Sequence, residues 1–314
     1  MKNQEILLKS IRQKIGDNSL IEKISIILGI SYDAAHRRTS GKSKFSIDET
    51  IQLCNTFQIS MDQLFLQSNK YILEKTDTIK NTSDFKAYLK KTTELLHSYT
   101  ETNSTAYYSA KDIPLHYTIG GTLLSKFKLF VWLTILNSET NTSFENFKID
   151  ISLLEETSTL IHIFNQVKRI EIWNDTTINS SLQQLMYFYE SGLISYNNTC
   201  EVLVDITNCI QKVESNTLNN HNFELFYNEL LLLNNTVLFT NSQQAHFFIP
   251  HNMLSYYVSI DKKTCLEEQA YINQQIKNSK SLTNSGIKEQ KIFFNRMYQK
   301  IDFYQKKIDN YILE

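Results

Sequence analysis

The chain has 314 residues and a net charge of −1, with hydrophobic and charged fractions of 41% and 21%. This length supports a large core and two domains, and these fractions are those of an ordinary soluble globular protein. Only two prolines and seven glycines occur. Their scarcity argues against a many-turned β-sandwich and against linker-rich chains, and it favours helices.

The four cysteines and the apolar runs bear on location. Cys54, Cys200, Cys209 and Cys265 are far apart and form no CxxC pair. Because the chain also begins without a signal-peptide pattern, we expect reduced thiols and a cytoplasmic location. The most apolar run, residues 127–136, is about half the length that spans a bilayer, so no membrane segment is predicted.

In chain order, residues 4–15 come first and place Ile6, Leu7, Ile11 and Ile15 on one helix face. The stretch from Ser19 to Phe65 then predicts a series of short helices. Three of them begin with a capping-box pattern, in which a serine is followed three residues later by Glu or Gln. The pairs are Ser19 with Glu22, Ser46 with Glu49, and Ser60 with Gln63.

Between the first two boxes lies the sequence Leu28-Gly29-Ile30-Ser31. Gly29 stands where a helix ends in the left-handed conformation, and Ser31 is a good N-cap for the next helix. A helix, a glycine turn and a second helix are typical of the helix-turn-helix motif, whose second helix enters the DNA major groove.

The second helix, residues 31–39, has the side chains for that role. Small Ala34 and Ala35 allow close packing on the preceding helix. We predict that the polar face reads base edges, and that the helix end, the next loop and the first cap contact phosphate. The predicted base-reading residues are Tyr32, Asp33, His36 and Arg37, and the predicted phosphate contacts are Ser19, Arg38, Ser40, Lys42 and Lys44.

The segments LGISYDAAHRRTSGK and SIDETIQLCNTFQISMDQLF resemble the five-helix DNA-binding domain of phage repressors, and more closely that of BetR-type regulators. Cys54 stands where an alanine is usual, and both are small residues that bury well. The resemblance covers about a fifth of the chain and implies a transcriptional regulator. The matching residues are Leu28, Ile30, Ser31, Asp33, Ala34, Ala35, Arg37, Arg38 and Gly41, followed by Phe57, Ile59, Ser60 and Asp62.

Charge is unevenly distributed along the chain. Residues 1–70 contain ten Lys or Arg and seven Asp or Glu, residues 261–314 contain the same numbers, and the middle contains twelve against nineteen. We therefore expect the acidic middle to stay away from phosphate. The small positive excess of the first domain predicts weak binding by one copy and a gain from dimerisation.

The predicted domains are 1–67, a five-helix DNA-binding domain, and 84–314, joined by a polar linker at 68–83. The fold class is mainly α. The second domain is expected to be an irregular helical domain, with apolar periodicity in 123–136, 153–172, 182–189 and 200–213. A small antiparallel β-meander is predicted near 225–260, where short aromatic runs alternate with turns.

The last helix follows Gly286 and repeats apolar residues seven apart. Two interpretations stay open: the helix covers this chain's own core, or it forms a dimer. The residues of the seam are Ile287, Phe294, Met297, Ile301, Tyr304 and Ile308.

No phosphate loop, metal-ligand pattern or nucleophile motif is found, so we expect no enzyme activity, cofactor or metal. Trp132 and Trp173 are expected in the core, where they could also line a ligand cavity with the nearby Tyr and Phe.

The first hypothesis is a sequence-specific DNA-binding regulator, whose C-terminal part dimerises, senses a small-molecule or protein effector, or does both. The alternative is a protein-interaction or antitoxin-like module with secondary DNA binding. The expected partners are double-stranded DNA and a second copy of the chain.

Overall fold

The computed structural model describes residues 2–15, 20–65, 73–101, 103–136, 143–219, 221–230, 233–252 and 254–311. The chain divides into two compact units, residues 1–72 and 73–314. The predicted linker overlaps the start of the second unit, since a short strand occupies Glu74–Lys75. Residues 68–72 of that linker and the predicted cap residue Ser19 lie outside the described residues.

The first unit is a bundle of short helices. They are α1 (Lys2–Ile15), α2 (Leu20–Leu28), α3 (Tyr32–Thr39), α4 (Ile47–Thr56) and α5 (Met61–Phe65). Their apolar faces meet in one core. Its buried members are Leu7, Leu8, Ile11, Leu20, Ile24, Ala35, Leu53, Cys54 and Ile59.

The helix boundaries of this unit follow the local signals in the sequence. Gly29 has a φ of 62° at the end of α2, in the left-handed region that glycine tolerates best. Ser31 caps α3 and accepts a hydrogen bond from the Ala34 N–H. Ser46 and Glu49 form a complete capping box at the start of α4. These predicted caps are therefore confirmed: Gly29 and Ser31 set the turn between α2 and α3, and the capping box begins α4.

The second unit combines helices with a mixed sheet. Its strands are β1 (Glu74–Lys75), β2 (Thr105–Ser109), β3 (Lys168–Trp173), β4 (Phe223–Tyr227), β5 (Thr236–Thr240), β6 (Ala245–Pro250), β7 (Tyr256–Ser259) and β8 (Lys280–Ser281). Its helices are α6 (Thr82–Leu96), α7 (Leu123–Leu136), α8 (Ser152–Gln166), α9 (Asn179–Glu190), α10 (Tyr196–Asn219), α11 (Lys262–Lys277) and α12 (Ile287–Tyr311).

The described strands form one sheet in the order β1-β7-β6-β5-β2-β3-β4-β8. Strands β2, β3 and β4 are parallel, with α7 and α8, then α9 and α10, as the crossovers between them. The remaining neighbours are antiparallel. The chain is mainly helical, as predicted, but its β structure is larger than the predicted small meander. Strands β5 to β7 do form an antiparallel meander, and this meander extends a parallel core.

The sheet has two unequal faces. Successive residues of a strand point to opposite faces of the sheet. In β5, Phe239 lies in a large core shared with most helices, and Leu238 lies in a smaller core. Cys265 and Ile272 of α11 belong to the smaller core, so α11 is the helix that covers this face.

Strand β3 lies where the sequence predicts the end of a helix, and two of its buried residues are charged. Arg169 and Glu171 are 3% and 1% exposed. The Glu171 carboxylate accepts hydrogen bonds from Tyr117 at 3.0 Å and from the Trp173 indole at 2.8 Å, and it lies 3.2 Å from the His116 ring. Burial raises the pKa of Glu171, but His116, Arg169 and Trp173 outweigh it, so the pKa lies below its usual value.

The seam of α12 packs inside its own unit. Phe294, Met297, Ile301 and Ile308 are buried in the large core, and Tyr304 packs against it. The dimer interpretation is therefore wrong for the four buried residues, because a side chain already covered by its own chain offers no surface to a second copy; for half-buried Tyr304 and for Ile287 it stays a prediction. Ile287, by contrast, is 69% exposed.

Among the described residues, no helix combines the length and apolar character that crossing a bilayer requires.

We predict that Phe294→Ala lowers the free energy of unfolding by about 3–5 kcal/mol, since it removes a fully buried ring. Phe303→Ala on the same helix is the control, because Phe303 is exposed and its loss costs less than about 0.5 kcal/mol. Urea unfolding followed by tryptophan fluorescence reports on this unit, where both tryptophans lie. A Phe294→Ala chain that keeps its stability but changes mass in sedimentation would contradict this assignment.

Candidate nucleic-acid interface

Helix α3 presents one polar face to solvent. Its predicted base-reading residues Tyr32, Asp33, His36 and Arg37 are all exposed, and their spacing of three and four places them on one side of the helix. On the opposite side, Ala35 is fully buried in the core of the first unit. The helix is therefore held by one face and open on the other.

The position of α3 is fixed by an ion pair with α4. Arg38 Nη2 lies 2.7 Å from Glu49 Oε1, and Arg38 Nε donates to Glu49 Oε2 at 3.0 Å. Two parallel bonds of this kind are the strong geometry for Arg and carboxylate. The same carboxylate accepts from the Ser46 N–H at 2.8 Å. Glu49 thus connects the end of α3 to the beginning of α4.

This contact changes what is expected of Arg38. Its side chain is only 22% exposed, and Nη1 also donates to the carbonyl of Ala34. The structure gives Arg38 a role in holding α3, and its phosphate contact stays a prediction. Ser40 is exposed, but its hydroxyl bonds the carbonyl of Arg37. Ser19 lies outside the described residues.

The loop between α3 and α4 carries the two remaining cations. Lys42 and Lys44 are both exposed on it. Gly41 has a φ of 75°, which allows the chain to turn sharply after α3. These lysines are thus placed directly after the exposed polar face of α3, where cations suit a phosphate backbone.

The same loop is held by Gln4, a residue that the sequence did not single out. Its amide nitrogen donates to the carbonyls of Arg38 at 2.7 Å and Ser43 at 2.9 Å, and its oxygen accepts from the Phe45 N–H at 3.2 Å. One side chain therefore satisfies three backbone groups across the loop. A polar residue on α1 gives no local signal of such long-range contacts, so sequence reasoning had no means to find it.

A glycine turn, a capped second helix with one exposed polar face, and a cationic loop together define a helix-turn-helix domain. Residues 4–83 match the family model described as the BetR domain, a family of helix-turn-helix DNA-binding domains. The resemblance found in the sequence is thereby confirmed, and it indicates a DNA-binding regulator. Comparison with curated proteins gave no significant match, and comparison with solved structures gave none.

We predict that the ion pair of Glu49 makes the first unit less stable in acid. Partial burial raises the pKa of Glu49, but the bonds from Arg38 and Ser46 outweigh it and hold the pKa below the ordinary 4.5. A carboxyl group with a lowered pKa stabilises the fold above its unfolded pKa, and this contribution is lost as the pH falls through the folded value. The expected loss is about 1 kcal/mol.

Native-state hydrogen exchange of the α3 and α4 amides, corrected for intrinsic rates, measures this loss. Glu49→Gln keeps a residue that can complete the capping box but cannot ionise. In this variant the α3 and α4 amides should be less protected than in the wild type at neutral pH, and their protection should depend less on pH below about 4.5. Asp48→Asn, at an exposed neighbouring position, is the matched control. Equal pH dependence in wild type and Glu49→Gln would show that the ion pair contributes nothing.

Proposed function

We propose that this chain is a sequence-specific transcriptional regulator that places α3 in the major groove of DNA. The observation that carries the proposal is the pairing of one exposed polar face on α3 with an opposite face held by Ala35 and by the Arg38–Glu49 ion pair. A helix that reads bases has to present its side chains without moving, and this arrangement supplies that rigidity.

The side chains have distinct roles in the proposal. Arg37 can donate two hydrogen bonds to guanine, and Tyr32, Asp33 and His36 contact neighbouring base edges. Lys42 and Lys44 neutralise phosphates and so add affinity without sequence preference. The proposal assigns no catalytic step to the chain.

We further propose that two copies act together, since one domain with a small positive excess holds DNA weakly. Two copies would read half-sites about one helical turn apart. The buried seam of α12 is excluded as their contact.

Selection of binding sites from random duplex DNA with the full-length chain tests both proposals. Enrichment of a palindrome supports two copies, and a single half-site supports one. Absence of any enriched sequence with folded protein contradicts the function itself.

On the selected site we predict different results for two neighbouring cations. Arg37→Ala should weaken specific binding by about 1–3 kcal/mol and relax the preference at one base pair. Lys42→Ala should weaken binding to all sequences alike and reduce the salt dependence by about one phosphate contact. Fluorescence anisotropy over a range of salt concentrations measures both.

Lys306→Ala removes an exposed lysine from the second unit and serves as the control, with no expected change. If Arg37→Ala, like Lys42→Ala, weakens specific and non-specific binding by the same factor, α3 does not read bases through Arg37.

A further inference from the structure

The second unit has a cleft between α6 and the end of the sheet that contains β1, β7 and β6. Three adjoining cavities share Tyr88 in their walls. The outermost has a volume of about 210 Å³. An apolar cavity of about 150 Å³ suffices to hold benzene in another protein, so this space accommodates a body with a single ring.

The walls of the cleft are mainly aromatic and aliphatic. Tyr88 and Leu95 of α6 and Phe248 of β6 line the cavity of about 210 Å³. Tyr108 and Tyr256 line the two smaller cavities that adjoin it at Tyr88. Burial raises the pKa of Tyr88, Tyr108 and Tyr256, so their hydroxyls stay protonated at neutral pH. Aromatic faces of this kind attract the positive end of a ligand as well as its apolar body.

In one of the smaller adjoining cavities, Asn235 contributes a polar group without a partner. Its Oδ1 is buried and accepts no hydrogen bond from the described residues. Asn235 lines this cavity of about 50 Å³ together with Trp132 and Asp112. A buried acceptor left unpaired is costly, and a ligand that brings a donor could remove that cost.

The mouth of the cleft is acidic. Glu74, Asp77 and Glu94 line it, with Lys91 as the one cation among its lining residues. Lys91 is already paired with Glu74, with 3.0 Å between Nζ and Oε1. The charge of Asp77 also acts on Lys91, so three carboxylates of the lining share one cation and the mouth keeps an acidic excess.

From these observations we infer that the cleft binds a small amphipathic cation, an apolar or aromatic body bearing an amine, and that this ligand regulates DNA binding. The aromatic walls fit the body, and the acidic mouth fits the charge. The regulatory part rests on the proposed function, whereas binding to the cleft does not.

The connection to DNA binding lies in the segment that forms the mouth. Strand β1 is the first element of the second unit and follows the DNA-binding domain in the chain. It is tied to β7: the Thr76 N–H donates to the Tyr256 carbonyl and Thr76 Oγ1 accepts from the Tyr256 N–H, both at 2.9 Å. A ligand in the cavity that Asp77 lines therefore contacts the segment that follows the reading domain in the chain.

The binding test uses three single-ring probes that differ in charge: 2-phenylethylamine, 2-phenylethanol and 3-phenylpropanoate. Ligand-observed NMR titration of the full-length chain should give a Kd of about 1 mM or tighter for the amine. The alcohol should bind about threefold or more weakly, and the carboxylate more weakly still. If no probe binds, or the three bind equally, the inference is overturned.

Variants locate the probe. Asp77→Asn combined with Glu94→Gln should weaken amine binding by about threefold to tenfold, since both positions are exposed and screened by salt. Glu155→Gln combined with Glu201→Gln removes the same charge elsewhere on the unit and should change nothing. Leu95→Trp, which fills the outer cavity, should abolish binding while circular dichroism stays native. Equal losses in both double variants would place the probe outside the cleft.

The regulatory part is measured by anisotropy on the selected DNA site with and without saturating amine. The expected result is at least a threefold change in DNA Kd, which disappears in the Asp77→Asn and Glu94→Gln double variant. Amine binding without any change in DNA affinity overturns the regulation and leaves the site. Failure of DNA binding itself is seen without amine, so it is distinguished from failure of the cleft.

Discussion

The carboxylate of Glu49 is the contact on which the DNA-binding domain depends. It caps α4 through the Ser46 N–H and at the same time holds the guanidinium of Arg38 at the end of α3. Without it, the helix that presents Arg37 to solvent would lose its side-chain connection to α4 and would be held by the buried Ala35 and by the bond from Gln4 to the Arg38 carbonyl. The proposed reading of a base edge requires a fixed side chain, and one acidic residue supports that geometry through Arg38.

The first unit could be predicted in detail because its signals are local. Gly29, Ser31 and the pair Ser46 and Glu49 each act within one turn of the backbone, so a short window of sequence contains the whole interaction. The hydrogen bonds by which Gln4 holds the loop between α3 and α4 could not be predicted in this way. Its partners lie 34 to 41 residues further along the chain, and nothing near Gln4 in the sequence identifies them.

The sheet of the second unit was underestimated for a related reason. Strand β3 follows directly after the apolar pattern of α8, so the predicted helix runs on to residue 172, although Ile170 and Ile172 alternate with Arg169 and Glu171 as in a strand. That both faces of β3 are buried could not be predicted, because the partners of the two charges, His116 and Tyr117, are more than fifty residues away. The seam of α12 shows a further limit of sequence patterns. Its heptads predict a buried stripe, but periodicity does not say whether the same chain or a second copy buries that stripe.

The two outer strands of the sheet, β1 and β8, are only two residues long each. Long open edges invite pairing between chains, and very short edge strands are one of the ways in which proteins prevent it. In the described part of this chain, the sheet therefore offers little backbone for a neighbouring molecule to extend. Two copies that assembled on one operator would therefore have to recognise each other through side-chain surfaces, which are more selective than a backbone edge. The short edge strands would also protect the protein from edge-to-edge aggregation at the concentrations that such assembly requires.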